Sequence, residues 1–435
     1  MALITRKRTA RPGLLLTAAV LTGAVVAAPL AATATATAAA AAPTTTTQEP
    51  GVTAHTITVG QVDTLSGPVP GLFEGAKYGT LAYFDYVNSH GGVNGRKIEL
   101  NAQDDAFSGA NYQSETASLV NSTFALVGGF SLFDNAGVAA INSAKIPDIT
   151  YSLTQSREND QLNFSPGPIV EGGARLGPLK YYKQHYGNAY QHVGTIDSNV
   201  ASAVAQSNGV FAAAKSLGYK VVYNATVSPF TTSFLPDVLK MQQQGVQMVY
   251  VVGLAVNQVA DLAQDMHQQG FTPKVFSTNG VGYDSTYIKL AGSAANGTMT
   301  DLSAAMYLGQ DAKTTPSVAL FDKWVHKVNS GAHYDTFGVF GWASAELFVQ
   351  ALKAAGPNPT RAAVISYLDK VTNYSADGML SASNTAEKVP GDCWILVKVV
   401  NGHWQRVAPS PKSGFTCKPA GFYYPPGFKK FVRQP

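Results

Sequence analysis

Strand-like runs alternate with helical runs from residue 56 onwards, and this alternation limits the fold more than any other feature. The run TITVGQVD (56–63) alternates apolar and polar residues and is rich in β-branched side chains, which predicts a strand. Residues 72–89 carry apolar side chains at helical intervals and are followed by two glycines, which predicts a helix and its end. Further strands are predicted at 96–104 and 124–129, with helices at 110–120 and 135–144. Such repeated units predict a parallel sheet with helices on its faces.

The same order of elements returns after about residue 190, with a strand at 192–197 and a helix at 202–216. The stretches GRKIELNA (95–102) and GYKVVYNA (218–225) place Gly, Lys and Asn-Ala in the same register. Gly95 and Gly218 are therefore predicted to be turn residues that lead into a strand. The glycines of GGVNG (91–95) do not form a nucleotide-binding loop, because such glycines would follow a strand and open a helix. Here they follow a predicted helix and precede a predicted strand. We predict an α/β fold with two Rossmann-like, doubly wound lobes and a ligand cleft between them.

The carboxyl ends of the predicted strands indicate what would line that cleft, because ligands of open parallel sheets bind there. They are rich in Ser, Thr, Asn, Gly and aromatic residues and poor in Lys, Arg and Cys. Such a lining suits a small polar group held by hydroxyl and backbone N–H groups, with aromatic walls for an apolar part. The ends lie at 63–68, 104–107, 129–133, 150–154, 197–201, 253–257 and 277–281.

The N-terminus has the pattern of a secretory signal peptide. Four basic residues precede the apolar run GLLLTAAVLTGAVVAA (13–28), and several A-x-A sites follow it. We expect residues 1–34 to be the signal peptide, with cleavage between Ala32 and Ala42, and residues 35–53 to be a flexible Ala/Thr/Pro leader. A single membrane anchor is the rival interpretation. No cysteine lies near the cleavage region, so a secreted protein without a lipoprotein anchor is expected.

Few residues point to catalysis. The eight histidines are scattered, and no G-x-S-x-G or Walker A pattern occurs, so no catalytic residue, metal or cofactor is expected. Asp104 and Asp105 are adjacent in a strand, so their carboxylates should diverge, and one should bond the N–H groups of a loop. Cys393 and Cys417 are the only cysteines, and an isolated pair in an exported protein predicts a disulfide. A secreted two-lobed hydrolase remains an alternative.

Four motifs together resemble the type I periplasmic binding proteins, and more narrowly the leucine/isoleucine/valine-binding branch that serves ABC importers. They are ITVGQVDTLSGPV (57–69), NSHGGVNGRKIEL (88–100) with the acid pair after it, VGGFS (127–131) and KIPDIT (145–150). The resemblance runs from about 55 to 385. It implies an N-terminal lobe of 54–172 plus 303–383, a C-terminal lobe of 173–302 plus 384–420, and a tail at 421–435.

The resemblance also implies ligand-binding roles for particular residues. Ser131 matches the hydroxyl that binds a ligand carboxylate, with Leu132 as the neighbouring alternative. The segment TYSLT (150–154) places Ser152 and Thr154 as hydroxyl donors beside Leu153 and Tyr151. Asn279 stands where amino-acid binders carry an acidic residue against the ligand ammonium, which puts a free α-amino acid in doubt. An apolar wall is expected from Leu72 or Phe73, Phe107, Tyr151 and Tyr283, each of which could equally be a core residue.

The implied function is that of an extracytoplasmic solute-binding protein that delivers a small carboxylate, amide or amino-acid-like ligand to an ABC permease. It is expected to be a monomer that uses no cofactor. Once the four positive charges before residue 12 are set aside, the net charge of +4 falls to about zero, so no nucleic-acid partner is expected. A ligand sensor with the same cleft is a further alternative.

Overall fold

The computed structural model describes residues 48–69, 71–331, 334–409, 414–417 and 421–434. The predicted signal peptide and most of the predicted leader, residues 1–47, lie outside these ranges. The cleavage region and the segment that could instead be a membrane anchor fall within the same residues. Among the helices described, none is both long and apolar enough to cross a membrane.

The first sheet has four parallel strands in the order β2-β1-β3-β4. The predicted strand at 56–63 forms β1, and β2 follows at nearly its predicted position, because both carry β-branched and apolar residues on alternate faces. The strands are β1 (Thr56–Asp63), β2 (Lys97–Asp104), β3 (Leu126–Val127) and β4 (Asp148–Ile149), and the helices between and after them are α1 (Glu74–Ser89), α2 (Gly109–Ser122), α3 (Val138–Ala144) and α4 (Gln155–Glu158).

The second sheet has seven strands in the order β12-β11-β10-β9-β8-β6-β7. Strands β6 to β10 are parallel, whereas β11 and β12 are antiparallel additions at one edge. A short strand, β5 (Ala174–Arg175), precedes this sheet. The elements are α5 (Gly177–His185), β6 (Val193–Ser198), α6 (Ala201–Ser216), β7 (Val221–Val227), α7 (Leu235–Gln243), β8 (Met248–Val252), α8 (Val256–Gln268), β9 (Val275–Asn279), α9 (Tyr287–Ala291) and β10 (Thr298–Leu302).

After β10 the chain returns to the first sheet. Helix α11 (Thr336–Ala355) packs along α1 so closely that a Cβ on Gly79 would lie 1.9 Å from the carbonyl oxygen of Gly338. Arg361, at the start of the next helix, donates to three carbonyl groups near β3, those of Val120, Thr123 and Phe124. The returning helices are α10 (Pro316–Val328), α11 (Thr336–Ala355) and α12 (Arg361–Leu368), and the chain then forms β11 (Ile395–Val400), β12 (His403–Ala408) and β13 (Phe422–Tyr423).

We use "first lobe" for β1–β4 with α1–α4 and α10–α12, and "second lobe" for β6–β12 with α5–α9. The chain therefore passes between the lobes three times, near residues 165–175, 302–305 and 380–394. The boundaries predicted at residues 172, 302 and 383 stay predictions. This arrangement confirms the predicted fold class of two doubly wound α/β lobes.

Turn and covalent features predicted from the sequence take the expected form. Gly95 and Gly218 have positive φ angles of 79° and 83°, which explains why glycine leads into the strand in each lobe. Cys393 and Cys417 form a disulfide over a sequence separation of 24. Beside it, the Trp394 N–H donates to the Thr416 carbonyl at 3.1 Å.

Candidate functional site

A cavity of about 480 Å³ lies between the lobes, at the carboxyl ends of strands from both sheets. Its first-lobe side is formed by residues that follow β3 and β4, together with the start of α11. Its second-lobe side is formed by residues that follow β6, β8, β9 and β10. Both lobes therefore contribute to one cleft, as the general rule for ligand sites in open parallel sheets predicts.

Aromatic side chains form one wall of this cavity. Phe130 stacks on Tyr151 with ring centroids 4.8 Å apart, and Tyr151 contacts Phe340 at 4.5 Å. Phe73 meets Phe337 edge to face at 4.7 Å, which continues the wall towards α1. Burial raises the pKa of Tyr151 to about 12, so its hydroxyl is neutral in the physiological range. The wall offers apolar surface for a ligand together with one neutral hydroxyl group.

The segment after β4 is held by a buried carboxylate. Asp134 accepts hydrogen bonds from the Leu153 N–H at 2.6 Å and from the Thr154 hydroxyl at 2.5 Å. The Thr154 oxygen also accepts from the Arg157 N–H, so it caps the short helix α4. Burial raises the pKa of Asp134 to about 6, against the opposing effect of the Arg157 charge. Asp134 therefore positions this segment while remaining outside the cavity itself.

Six of the eight residues predicted to bind ligand line the cavity. Ser152 is buried, and its hydroxyl donates to the Asn163 side chain at 3.1 Å. Asn279 lies on the opposite side, where its amide donates to Gln206 at 2.8 Å. The six are Leu72, Tyr151, Ser152, Leu153, Thr154 and Asn279, and Phe73 and Leu132, named as alternatives, line it as well.

Ser131 and Phe107, the other two predicted ligand residues, are placed outside the lining, and so is Tyr283. The Ser131 hydroxyl is buried and donates to the carboxylate of Asp105. Phe107 packs edge to face on Phe133 with the centroids 5.4 Å apart, which turns its ring to a neighbouring loop. Tyr283 is fully buried and donates to Gln310. Each of these side chains therefore contacts another residue of the protein core or of a loop, away from the cavity lining.

The acid pair at the end of β2, Asp104 and Asp105, diverges as predicted. Asp104 accepts from the N–H groups of Leu65 and Ala106, both at 2.9 Å. Asp105 accepts from the Thr64 hydroxyl at 2.9 Å and from the Phe107 N–H at 2.8 Å. Both carboxylates thus fix loops, and the prediction that at least one would do so is confirmed.

Three charged residues of the cavity lining, Glu171, Arg175 and Asp301, were missed from the sequence, and the last two lie close together. An Nη2 atom of Arg175 lies 4.0 Å from Oδ2 of Asp301, and Tyr250 donates to the same carboxylate at 3.4 Å. Burial raises the pKa of Asp301, and the Arg175 charge opposes this rise. Asp301 is the register partner of Asn279 on the neighbouring parallel strand, so the two positions are about 4.8 Å apart along the sheet.

A wider search of strand ends would have found Asp301, because it lies one residue before the end of the buried strand β10. Arg175 carries no comparable signal, since it lies in a two-residue strand within the first crossing between lobes. Over the residues that the structure describes, no group of three or more His, Cys, Asp or Glu side chains is arranged to hold a metal ion.

Comparisons with known proteins give consistent results. The family model of the periplasmic binding proteins matches residues 56–403. A Leu/Ile/Val-binding protein homolog 3 from Brucella melitensis is 23% identical over 349 residues, which cover 76% of this chain and 88% of that protein. An amino acid binding protein from Pseudomonas aeruginosa is 25% identical over 296 residues, or 64% of this chain and 73% of that one.

Solved structures share the fold at lower identity. A fatty acid ABC transporter substrate-binding protein from Thermomonospora curvata superposes with a TM-score of 0.69 at 19% identity, covering 85% of this chain and 94% of that one. A branched-chain amino acid transporter substrate-binding protein from Streptococcus pneumoniae, solved with isoleucine, gives a TM-score of 0.66 at 16% identity and covers 83% and 99%.

Proposed function

Because the chain belongs to the periplasmic binding protein family, we propose that it is the extracytoplasmic substrate-binding protein of an ABC importer. The family consists of proteins that bind a substrate and do not transform it. The observation that carries the proposal is a cavity lined by side chains of both lobes, which a ligand can fill only by contacting both. Closure around such a ligand is stabilised by the contacts that exist only in the closed state.

The lining supports a ligand with an apolar part and a polar end. The apolar part would rest against the wall of Phe130, Tyr151 and Phe340, where burial of its surface contributes about 25 cal/mol per Å². The polar end would lie at Arg175 and Asp301, which also line the cavity. A small carboxylate, an amide or an amino-acid-like compound has this chemistry.

The charged pair bears on the choice between these classes. A carboxylate or an amide oxygen would accept from Arg175, whose planar guanidinium suits such groups. An ammonium or N–H group would donate to Asp301, which lies one strand away from Asn279. The absence of an acidic residue at position 279 is therefore a weaker argument against a free amino acid than the sequence alone suggested. Ser152, Thr154, Tyr151, Leu153 and Leu72 are proposed as further ligand contacts.

The first experiment is calorimetric titration of the protein from residue 48 onwards, refolded once to remove any carried-over ligand. The panel contains branched-chain amino acids, the matching 2-oxo acids, aromatic carboxylates and short amides. Binding of one class with a one-to-one stoichiometry and a micromolar Kd is expected. Absence of binding across the panel, in protein that circular dichroism shows to be folded, would contradict the proposed ligand chemistry.

Two variants then test the polar end. Arg175→Gln is expected to weaken carboxylate binding by about 1.5–3 kcal/mol, because a charged hydrogen-bond donor is lost. Asp301→Asn is expected to weaken the binding of only those ligands that carry an ammonium group. Lys274→Gln removes an exposed charge far from the cavity lining and should leave the Kd unchanged. Equal affinities for wild type and both cavity variants would show that the polar end lies elsewhere.

A further inference from the structure

The C-terminal tail, residues 421–434, contacts the first lobe and the crossing that leads into the second lobe, and its Tyr423 packs against the core of the second lobe. Its first residues form β13, in which Phe422 and Tyr423 pair antiparallel with Arg175 and Ala174 of β5, directly before the second lobe begins. The Gly421 carbonyl also accepts from the Leu176 N–H at 2.9 Å. The start of the tail is thus attached by backbone hydrogen bonds to the segment that carries the cavity arginine.

The end of the tail is attached to the first lobe. The guanidinium of Arg433 donates to the carbonyl of Ala386 at 2.9 Å and to that of Gln161, and it pairs with the Asp369 carboxylate at 3.2 Å. It also lies over the ring of Phe164, 4.2 Å from its centroid. This side chain therefore joins three segments, one after α4, one after α12 and one in the third crossing between lobes.

Further contacts support this second attachment. Gln161 donates to the Val432 carbonyl at 3.2 Å and accepts from the Gln434 N–H at 3.0 Å. Lys430 pairs with Glu387 at 2.7 Å, although both of these side chains are exposed. Exposed pairs contribute little, so Arg433 and the Gln161 contacts are the principal attachment.

The tail also forms part of the ligand cavity. Phe422 lines it, and its ring packs so closely on the first crossing that a Cβ on Gly173 would lie 2.5 Å from the ring. A second cavity of about 520 Å³ lies beneath the tail, between Tyr424, Phe428 and Phe431 and the first crossing. Gln155, Ile169 and Val170 line both cavities, so the two spaces adjoin.

We propose that the tail is a strap that ties the two lobes across the first crossing and completes the cavity wall through Phe422. Because one attachment lies on the first lobe and the other on the strand that leads directly into the second lobe, the lobes can separate only if the tail extends between these two points or an attachment breaks. Phe422 then limits the size of the apolar part of the ligand. This second role rests on the proposed function, whereas the tying of the lobes does not.

Hydrogen–deuterium exchange of the ligand-free protein tests the tying directly. The variant Arg433→Gln is compared with Lys429→Gln, which removes the same charge from the same tail at a position with no hydrogen bond or ion pair among the described residues. Arg433→Gln is expected to speed amide exchange in residues 161–176 and 421–434 about tenfold or more, the factor expected for one lost charge-assisted hydrogen bond. Lys429→Gln should exchange like the wild type. Unchanged exchange in Arg433→Gln would overturn the strap.

Phe422→Ala keeps the Arg433 attachment and isolates the cavity wall. With ligands identified by titration, this variant should gain affinity at least about tenfold for a bulkier member of the same class relative to the smaller member, because the wall recedes. If the ratio of the affinities for the bulkier and the smaller ligand does not change, Phe422 does not determine specificity. Failure of every ligand to bind the wild type would count against the proposed function and leave the exchange result valid. Circular dichroism of each variant establishes that it is folded. If Arg433→Gln does not fold, Gln161→Ala, which removes the side-chain bonds to Val432 and Gln434, serves as the second exchange variant.

Discussion

The buried hydroxyl of Ser131 is predicted to contribute to stability, because its partner is a carboxylate of the protein. This hydroxyl donates to the carboxylate of Asp105, and the same oxygen accepts from the Phe133 N–H at 3.0 Å. Ser131→Ala would leave the carboxylate with one donor fewer in a buried site. We expect the free energy of unfolding to fall by about 1–3 kcal/mol. Urea denaturation followed by circular dichroism measures this change.

The control is Ser122→Ala, at an exposed helix end where the hydroxyl bonds only the preceding turn. It should change the free energy of unfolding by less than about 0.5 kcal/mol. If Ser131→Ala instead preserves stability and abolishes ligand binding, the hydroxyl acts on the ligand, as the family resemblance implied.

Glu346 gives a pH dependence with a definite sign. Burial in α11 raises its pKa to about 8, and the nearby charge of Asp377 adds to the rise. The folded state therefore favours the protonated form, and the stability from this group is present below pH 4.5 and is lost as the pH rises to about 8. Glu346→Gln should be as stable as wild type near pH 4.5 and more stable at pH 8.

Thermal melting from pH 4.5 to 8.5 tests this prediction. Glu99→Gln, at an exposed strand position, serves as the control. Its difference in Tm between pH 4.5 and pH 8.5 should equal that of the wild type. If Glu346→Gln raises the Tm by the same amount at pH 4.5 and pH 8.5, ionisation of Glu346 is not the cause of the increase.

The candidate site was predictable where its residues follow a strand of the repeated pattern. Tyr151, Ser152 and Asn279 come directly after β4 or at the end of β9, so position along the chain was enough to identify them. Arg175 and Phe422 were beyond reach, because their place in the cavity depends on pairing between a crossing segment and the C-terminal tail. Such pairing leaves no periodic signal in two-residue strands.

At the scale of elements, the contact between α1 and α11 depends on glycine. A Cβ at Gly79 would meet the Gly338 carbonyl oxygen at 1.9 Å, and one at Gly341 would meet the Ala76 oxygen at 2.2 Å. Gly79→Ala is therefore expected to lower the free energy of unfolding by about 1–3 kcal/mol through overpacking, despite the better helix propensity of alanine.

Chemical denaturation of Gly79→Ala measures the effect, with Gly331→Ala as the matched substitution. A Cβ at Gly331 would meet only the Asn329 side chain at 3.5 Å, so this variant should match the wild type. A stable Gly79→Ala protein would mean that the two helices can move apart at little cost.

Most elements follow from their periodicity, but β3 does not reach its predicted length. The apolar run at 124–129 forms a strand of only two residues, although the Phe124 and Gly128 N–H groups extend the bonding to Thr58 and Ile149. Gly128, with a φ angle of 76°, turns the chain at this point. Composition identifies such a run as buried, while its hydrogen-bond register depends on its neighbours.

For the whole molecule, the disulfide has a measurable role. Replacing Cys393 and Cys417 by serine opens a loop with a sequence separation of 24, and the free energy of unfolding should fall by about 3 kcal/mol. Reduction of the wild type should produce the same loss in guanidinium denaturation. The double serine variant should not respond to reductant, and a response would point to a different chemical target.

Because the tail ends on the first lobe, where the Gln434 N–H donates to Gln161, the C-terminus is unsuitable for fusion partners. A purification tag or fluorescent protein joined there would place a load on the Arg433 attachment and alter the relative motion of the lobes. Fusions should be placed before residue 48. A small environment-sensitive dye near the end of the tail would instead report opening of the lobes as a change in brightness.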